Sequence, residues 1–148
     1  MKVSRAVVGA PSYFERRGRP SQPRELTDHE CLHSHPTTDT PPYRWEFTEN
    51  GRNFAVTVPA RVLSTNAVLN RRLAIAGIGI TMAYEGRVRE ALATGQLLSV
   101  LNVFCAPFGG YYLYYPQRRS ASRALEALVE HGRRWRRNGR SGTRALLT

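Results

Sequence analysis

The sequence has one lysine, Lys2; the other 21 of its 22 basic residues are arginine. Acidic residues are scarce too, 11 in all, which leaves a net charge of +11. Seven of those eleven charges fall from Gln117 onward, where nine arginines face two glutamates. Such a basic terminus binds nucleic acid or anionic surfaces without sequence preference, although a solvated tail is the simpler reading. Only two cysteines occur, Cys31 and Cys105, too far apart for a disulfide framework or a zinc pair. Reduced, partly buried thiols are expected. No apolar run is long enough to span a bilayer. The apolar stretch Ala6-Val7-Val8 after the first residues is too short for a signal peptide. These absences predict a cytoplasmic protein with no membrane partner. Paired carboxylates, a nucleophile–base set and a phosphate loop are also missing, so neither an enzyme nor a cofactor is expected. Gly77-x-Gly79 closes a helix and opens a strand, the reverse of a dinucleotide fingerprint.

What the sequence does specify is concentrated in residues 64–84. Ser64, Thr65 and Asn66 can each cap a helix, and an apolar pattern of helical period follows them. Val68, Leu69, Leu73, Ile75 and Ala76 mark the expected buried face, with Arg71 and Arg72 opposite. Gly77 supplies a left-handed helix end, and the run from Gly79 to Ala83 reads as a buried strand. A capped helix N-terminus carries unpaired N–H groups and the positive end of the dipole, so it attracts anions.

Around this unit the chain reads as alternating strands and helices. Ala6 to Gly9 is a strand, and Pro11 turns it into a short helix. Pro23 to Leu26 is a brief helix with proline in its first turn. In His29-Glu30-Cys31-Leu32-His33-Ser34-His35 the alternation suggests an edge strand with exposed imidazoles, rather than a metal site. Trp45 and Phe47, a Glu49-Asn50-Gly51-Arg52 turn, and Phe54 to Val58 form a hairpin. Residues 85–94 are an amphipathic helix with Val88, Ala91 and Leu92 inward, closed by Gly95. Leu97 to Leu101 and Tyr111 to Tyr115 are strands. A last helix, capped by Ser120 or Ser122, carries Leu125, Leu128 and Val129, and residues beyond Trp135 are too polar to pack. This alternation is an α/β pattern with a partly parallel sheet.

Several short segments, taken in order, carry a resemblance. They are Val7-Val8-Gly9-Ala10-Pro11-Ser12-Tyr13-Phe14, Gly18-Arg19-Pro20 with Pro23-Arg24-Glu25-Leu26, and Trp45-x-Phe47. Ala76-Gly77-Ile78-Gly79-Ile80, Ala93-Thr94-Gly95-Gln96-Leu97 and Tyr114-Tyr115-Pro116-Gln117-Arg118-Arg119 follow in register. Together they resemble the effector-binding (substrate-binding) domain of LysR-type transcriptional regulators. The resemblance implies an α/β, type II periplasmic-binding-protein-like fold: mostly subdomain II, plus the last strand and helix of subdomain I. Residues 1–137 would be the partial domain, with 10–105 as subdomain II and 106–137 as the return to subdomain I. Residues 138–148 would be a basic disordered tail.

What the family implies is a ligand sensor. A small, anionic effector binds in the cleft between subdomains and thereby controls transcription, and the full-length regulators are homo-oligomers. By position, Thr65 and Asn66 fall where the family's second subdomain donates hydrogen bonds to the effector. Ala10 falls where a hydroxyl residue follows the first strand, with Ser12 as its nearest replacement. Cap and turn chemistry explains the same residues equally well. The tract from His29 to His35 becomes scaffold. The helix-turn-helix and the first half of subdomain I have no counterpart, so the chain reads as a fragment whose DNA contact would require the missing module. The alternative is a truncated remnant that binds nucleic acid nonspecifically through its basic tail.

Overall fold

The computed structural model describes residues 3–34, 44–107 and 123–138, with side chains as far as residue 134. They belong to two compact units, residues 4–108, and residues 1–3 with 109–148. In the second unit the described element is one helix, Arg123–Asn138, which continues three residues past Trp135. The expected strand at 111–115 and the caps Ser120 and Ser122 lie outside the described residues, as does His35.

The first unit is built on a five-stranded sheet and a hairpin. Strand β1 (Arg5–Gly9) leads into helix α1 (Pro11–Arg17), a 3-10 turn (Pro23–Asp28) and strand β2 (Cys31–Ser34). The hairpin is β3 (Arg44–Glu49) and β4 (Arg52–Thr57), paired from Arg44↔Thr57 to Glu49↔Arg52. Asn50 and Gly51, at φ 49° and 75°, take the left-handed turn that asparagine and glycine favour. Then come β5 (Ala60–Ser64), α2 (Ala67–Ile75), β6 (Ile80–Tyr84), α3 (Glu85–Ala93) and β7 (Leu98–Val100). The sheet order is β5-β2-β6-β1-β7. β2 runs parallel to both β5 and β6, while β1 is antiparallel to β6 and β7.

Both faces of this sheet are covered, because neighbouring strand residues enter different cores. Val7 and Cys31 join Tyr13, Phe14, Leu26, Trp45, Phe47 and Ile80 on the hairpin side. Val8 and Leu32 join Ala74, Val88, Ala91 and Leu97 beneath the helices. A strand covered on both faces loses the apolar/polar alternation that marks a half-exposed one.

That physics corrects two sequence expectations. β2 is an interior strand, not an edge, and His33 is 6% exposed rather than solvated. On α2 the buried residues are Asn70 and Ala74, one helical turn apart. Val68 and Leu69, the apolar residues expected inside, are 41% and 43% exposed. The helix end conforms: Gly77 has φ 77°. Gly79 is fixed by proximity, since a Cβ there would collide with the carbonyl oxygen of Glu30, whose oxygen accepts the Ile80 N–H at 2.8 Å. Cys31 and Cys105 are free thiols, the first buried and the second partly so.

Candidate functional site

Parallel strands that end together leave the helices after them starting together. β2, β5 and β6 finish at Ser34, Ser64 and Tyr84, and β1 begins beside them, with Arg5 paired to Tyr84. α2 and α3 therefore open at this one edge of the sheet, where ligands of open α/β sheets collect. A cavity of about 480 Å³ lies there, within the range of small-molecule sites. Its walls include the strand ends His33, Ser34 and Tyr84, Trp45 of the hairpin, Thr65, Asn70 and Arg71 around α2, and Arg87 and Val88 of α3.

The electrostatics of this cavity are one-sided. Arg5, Arg44, Arg71 and Arg87 line it, and among the described residues none that lines it is acidic. Arg5 pairs with Glu46 at 3.2 Å at an exposed site. Such a contact is worth little in water. Arg71 donates to the Arg87 backbone carbonyl at 2.9 Å, tying the starts of α2 and α3 together. Trp45 Nε1 donates to His33 Nδ1 at 2.9 Å, with the rings stacked. An indole N–H can only donate, so Nδ1 bears no proton and the neutral ring keeps its hydrogen on Nε2. That contact makes His33 part of the frame that holds the hairpin to β2.

Asn66 is the N-cap of α2. Its side-chain oxygen accepts the N–H groups of Val68 at 2.9 Å and Leu69 at 3.2 Å. Two amides that an anion would otherwise use are thereby taken up by the cap. Ser64 Oγ in turn accepts the Asn66 N–H at 2.9 Å. Thr65 projects from the same turn and does line the cavity.

Ala10 and Ser12 are not brought to it. Because β1 is antiparallel to β6, its C-terminal end lies at the opposite edge of the sheet. Ala10 is buried there as the N-cap of α1, its carbonyl accepting from Tyr13 and Phe14. Ser12 lies against Gly77, at the C-terminal end of α2.

The residue that sequence reasoning missed is Asn70. It is 1% exposed, lies on the cavity wall, and neither Nδ2 nor Oδ1 has a hydrogen-bond partner among the described residues. Each unmade bond at such a depth costs about 1–3 kcal/mol. The signal was present, because Asn70, Ala74 and Gly77 recur at helical spacing with small side chains at the other two positions. A larger hollow of about 580 Å³ sits by the hairpin turn, but Arg24 and Arg52 share it with Glu49, and it holds no orphaned polar group. Among the described residues no cluster of His, Cys, Asp and Glu could hold a metal ion. His29, the remaining described member of the histidine tract beside β2, bonds the Tyr13 hydroxyl.

The family model described as the LysR substrate binding domain matches residues 1–137. The chain belongs to that family. Similar relatives include YagP of Escherichia coli K12, named for a LysR-family substrate-binding domain. It is 39% identical over 73% of this chain and 79% of its own length. The HTH-type transcriptional regulator PgrR of the same organism is 31% identical over 86% of this chain but 43% of its own length. The chain thus spans less than half of that regulator.

Among solved structures, full-length AphB, the Vibrio cholerae virulence activator of the same regulator family, superposes with a TM-score of 0.63. It is 25% identical, over 72% of this chain and 36% of its own. The regulatory domain of CrgA from Neisseria meningitidis gives 0.62 at 22% identity, over 72% and 54%. The expected periplasmic-binding-protein-like α/β fold is therefore borne out, and so is the family's role: a ligand-sensing domain of transcription regulators. Among the described residues no helix is long and apolar enough to cross a membrane.

Proposed function

We propose that the cavity at the ends of β2, β5 and β6 holds the effector of this LysR-family domain, and that the effector is a small anion. The observation that carries this reading is four arginines around a cavity with no acidic lining residue among the described ones. Guanidinium groups bind carboxylate and phosphate with paired, charge-assisted hydrogen bonds. Thr65 adds a hydroxyl at the mouth of α2. Asn66 contributes by holding that turn in shape, and Ala10 and Ser12 take no part.

Calorimetric titration with a panel of metabolite carboxylates and phosphates, each beside a neutral analogue, tests this. A binding anion is expected to lose at least tenfold in affinity in Arg87→Ala and Arg71→Ala, and less in Thr65→Ala. Unchanged affinity in both arginine variants, or equal binding of neutral analogues, overturns it. The coupling of such binding to transcription would run through a helix-turn-helix and through assembly of subunits, as in full-length regulators of the family. A cytoplasmic location follows from that role.

A further inference from the structure

The orphaned amide of Asn70 is unusual in kind as well as in burial. A carboxamide presents an acceptor and a donor side by side, and here both are empty although the residue is almost wholly enclosed. It sits one helical turn beyond the Asn66 cap, on the wall that also carries Thr65, Arg71 and Thr81. Thr81 does not answer it: its hydroxyl donates to the Leu32 carbonyl at 3.0 Å and makes no bond to Asn70. Val88, the apolar residue of α3 that also lines the cavity, has no polar group to offer. Buried polar groups in folded proteins are almost always matched, so an unmatched one on a cavity wall marks where a matching group belongs.

We infer that Asn70 is a specificity-determining residue, and that the effector is an anion carrying a cis amide edge: a primary carboxamide, a ureido group or a lactam. This rests on the reading of the cavity as the effector site. The anionic end faces the guanidinium groups of Arg71 and Arg87, and the amide edge pairs with Asn70 Oδ1 and Nδ2 in a two-point contact. A side-chain rotation turns the amide from the wall toward the lumen when that edge arrives. A site that hydrogen-bonds its ligand discriminates strongly against an analogue of the same shape that lacks the group.

Succinamate and levulinate make the test, because they share one carboxylate and one shape and differ only in amide against methyl ketone. Binding of each to the full chain is measured by calorimetry and by thermal shift. The expected result is a preference for succinamate of about tenfold or more, abolished in Asn70→Leu and in the smaller Asn70→Ala. In both variants succinamate loses more affinity than levulinate, whose ketone keeps only the contact to Nδ2. A preference that survives both substitutions, or its absence from the unsubstituted protein while both anions bind, overturns the role of Asn70 and leaves the anion site standing. Binding that is insensitive to Arg87→Ala, or absent for both compounds, sinks the anion site and with it this inference.

Discussion

A phenol has one proton to give, and that of Tyr13 has one place to go. The Tyr13 oxygen accepts the Glu30 N–H at 2.9 Å and lies 3.0 Å from Nδ1 of His29, which takes the phenol hydrogen when the imidazole is neutral with its proton on Nε2. In that direction the contact needs His29 neutral. Burial, and then the nearby Arg17 cation, push the imidazole pKa below its ordinary value of 6.5. A base with a depressed folded-state pKa gives stability that is complete above the unfolded value and lost as pH falls through the folded one. Urea unfolding is therefore expected to show lower stability at pH 5 than at pH 7.5. His29→Asn keeps an acceptor near the position of Nδ1 and should flatten that dependence; an unchanged slope would assign it elsewhere. The Cys31 thiol moves the other way, pushed up to about 12 by burial first and by Glu30 second. It is a packing residue, not a nucleophile.

Elements with a strong local grammar are legible in the sequence. The Asn50-Gly51 hairpin, the prolines opening α1 and the 3-10 turn, the Gly77 and Gly95 helix ends, and the inward Val88 and Ala91 of α3 stand where the sequence puts them. Where tertiary contacts decide, the reading failed. β2 looked like an edge because Cys31, Leu32 and His33 mix apolar and polar residues, yet all three are buried between β5 and β6. β5, with Arg61 and Leu63 among its residues, gave no strand signal; the structure makes it the outer partner of β2. On α2 Leu73 and Ile75 pack against the core as expected, but the first turn was misread because Val68 and Leu69 outweigh Asn70 on any hydrophobic count.

Half of the candidate site was legible on the same terms. Thr65 and Asn66 stood out by cap chemistry, whereas Arg71, Arg87 and His33 converge only once the strands are ordered. Asn66→Ala is expected to destabilise the protein by about 1 kcal/mol, since its oxygen serves two backbone amides. Chemical denaturation measures this, and a change within error would show that water replaces the cap.

On the scale of the whole molecule, charge dominates solution behaviour. At +11, with most of that charge beyond Gln117, the chain is expected to retain DNA in a gel shift without regard to sequence. Affinity should fall steeply between about 50 and 200 mM salt, as counterion release requires. A complex that is operator-selective and salt-stable would contradict this and require a base-reading surface of the chain's own.

The pairing of β1 with β7 reaches further. Val7 lies opposite Val100 in antiparallel register, so the chain enters and leaves the 4–108 unit through neighbouring strands. A unit with adjacent ends behaves as a cassette: it can be spliced into a loop of an unrelated protein without prying that host apart. Set into a surface loop of a fluorescent protein or an antibiotic-resistance enzyme, residues 4–108 would report ligand arrival as light or growth. The search for the effector could then run in living cells, independent of any target gene.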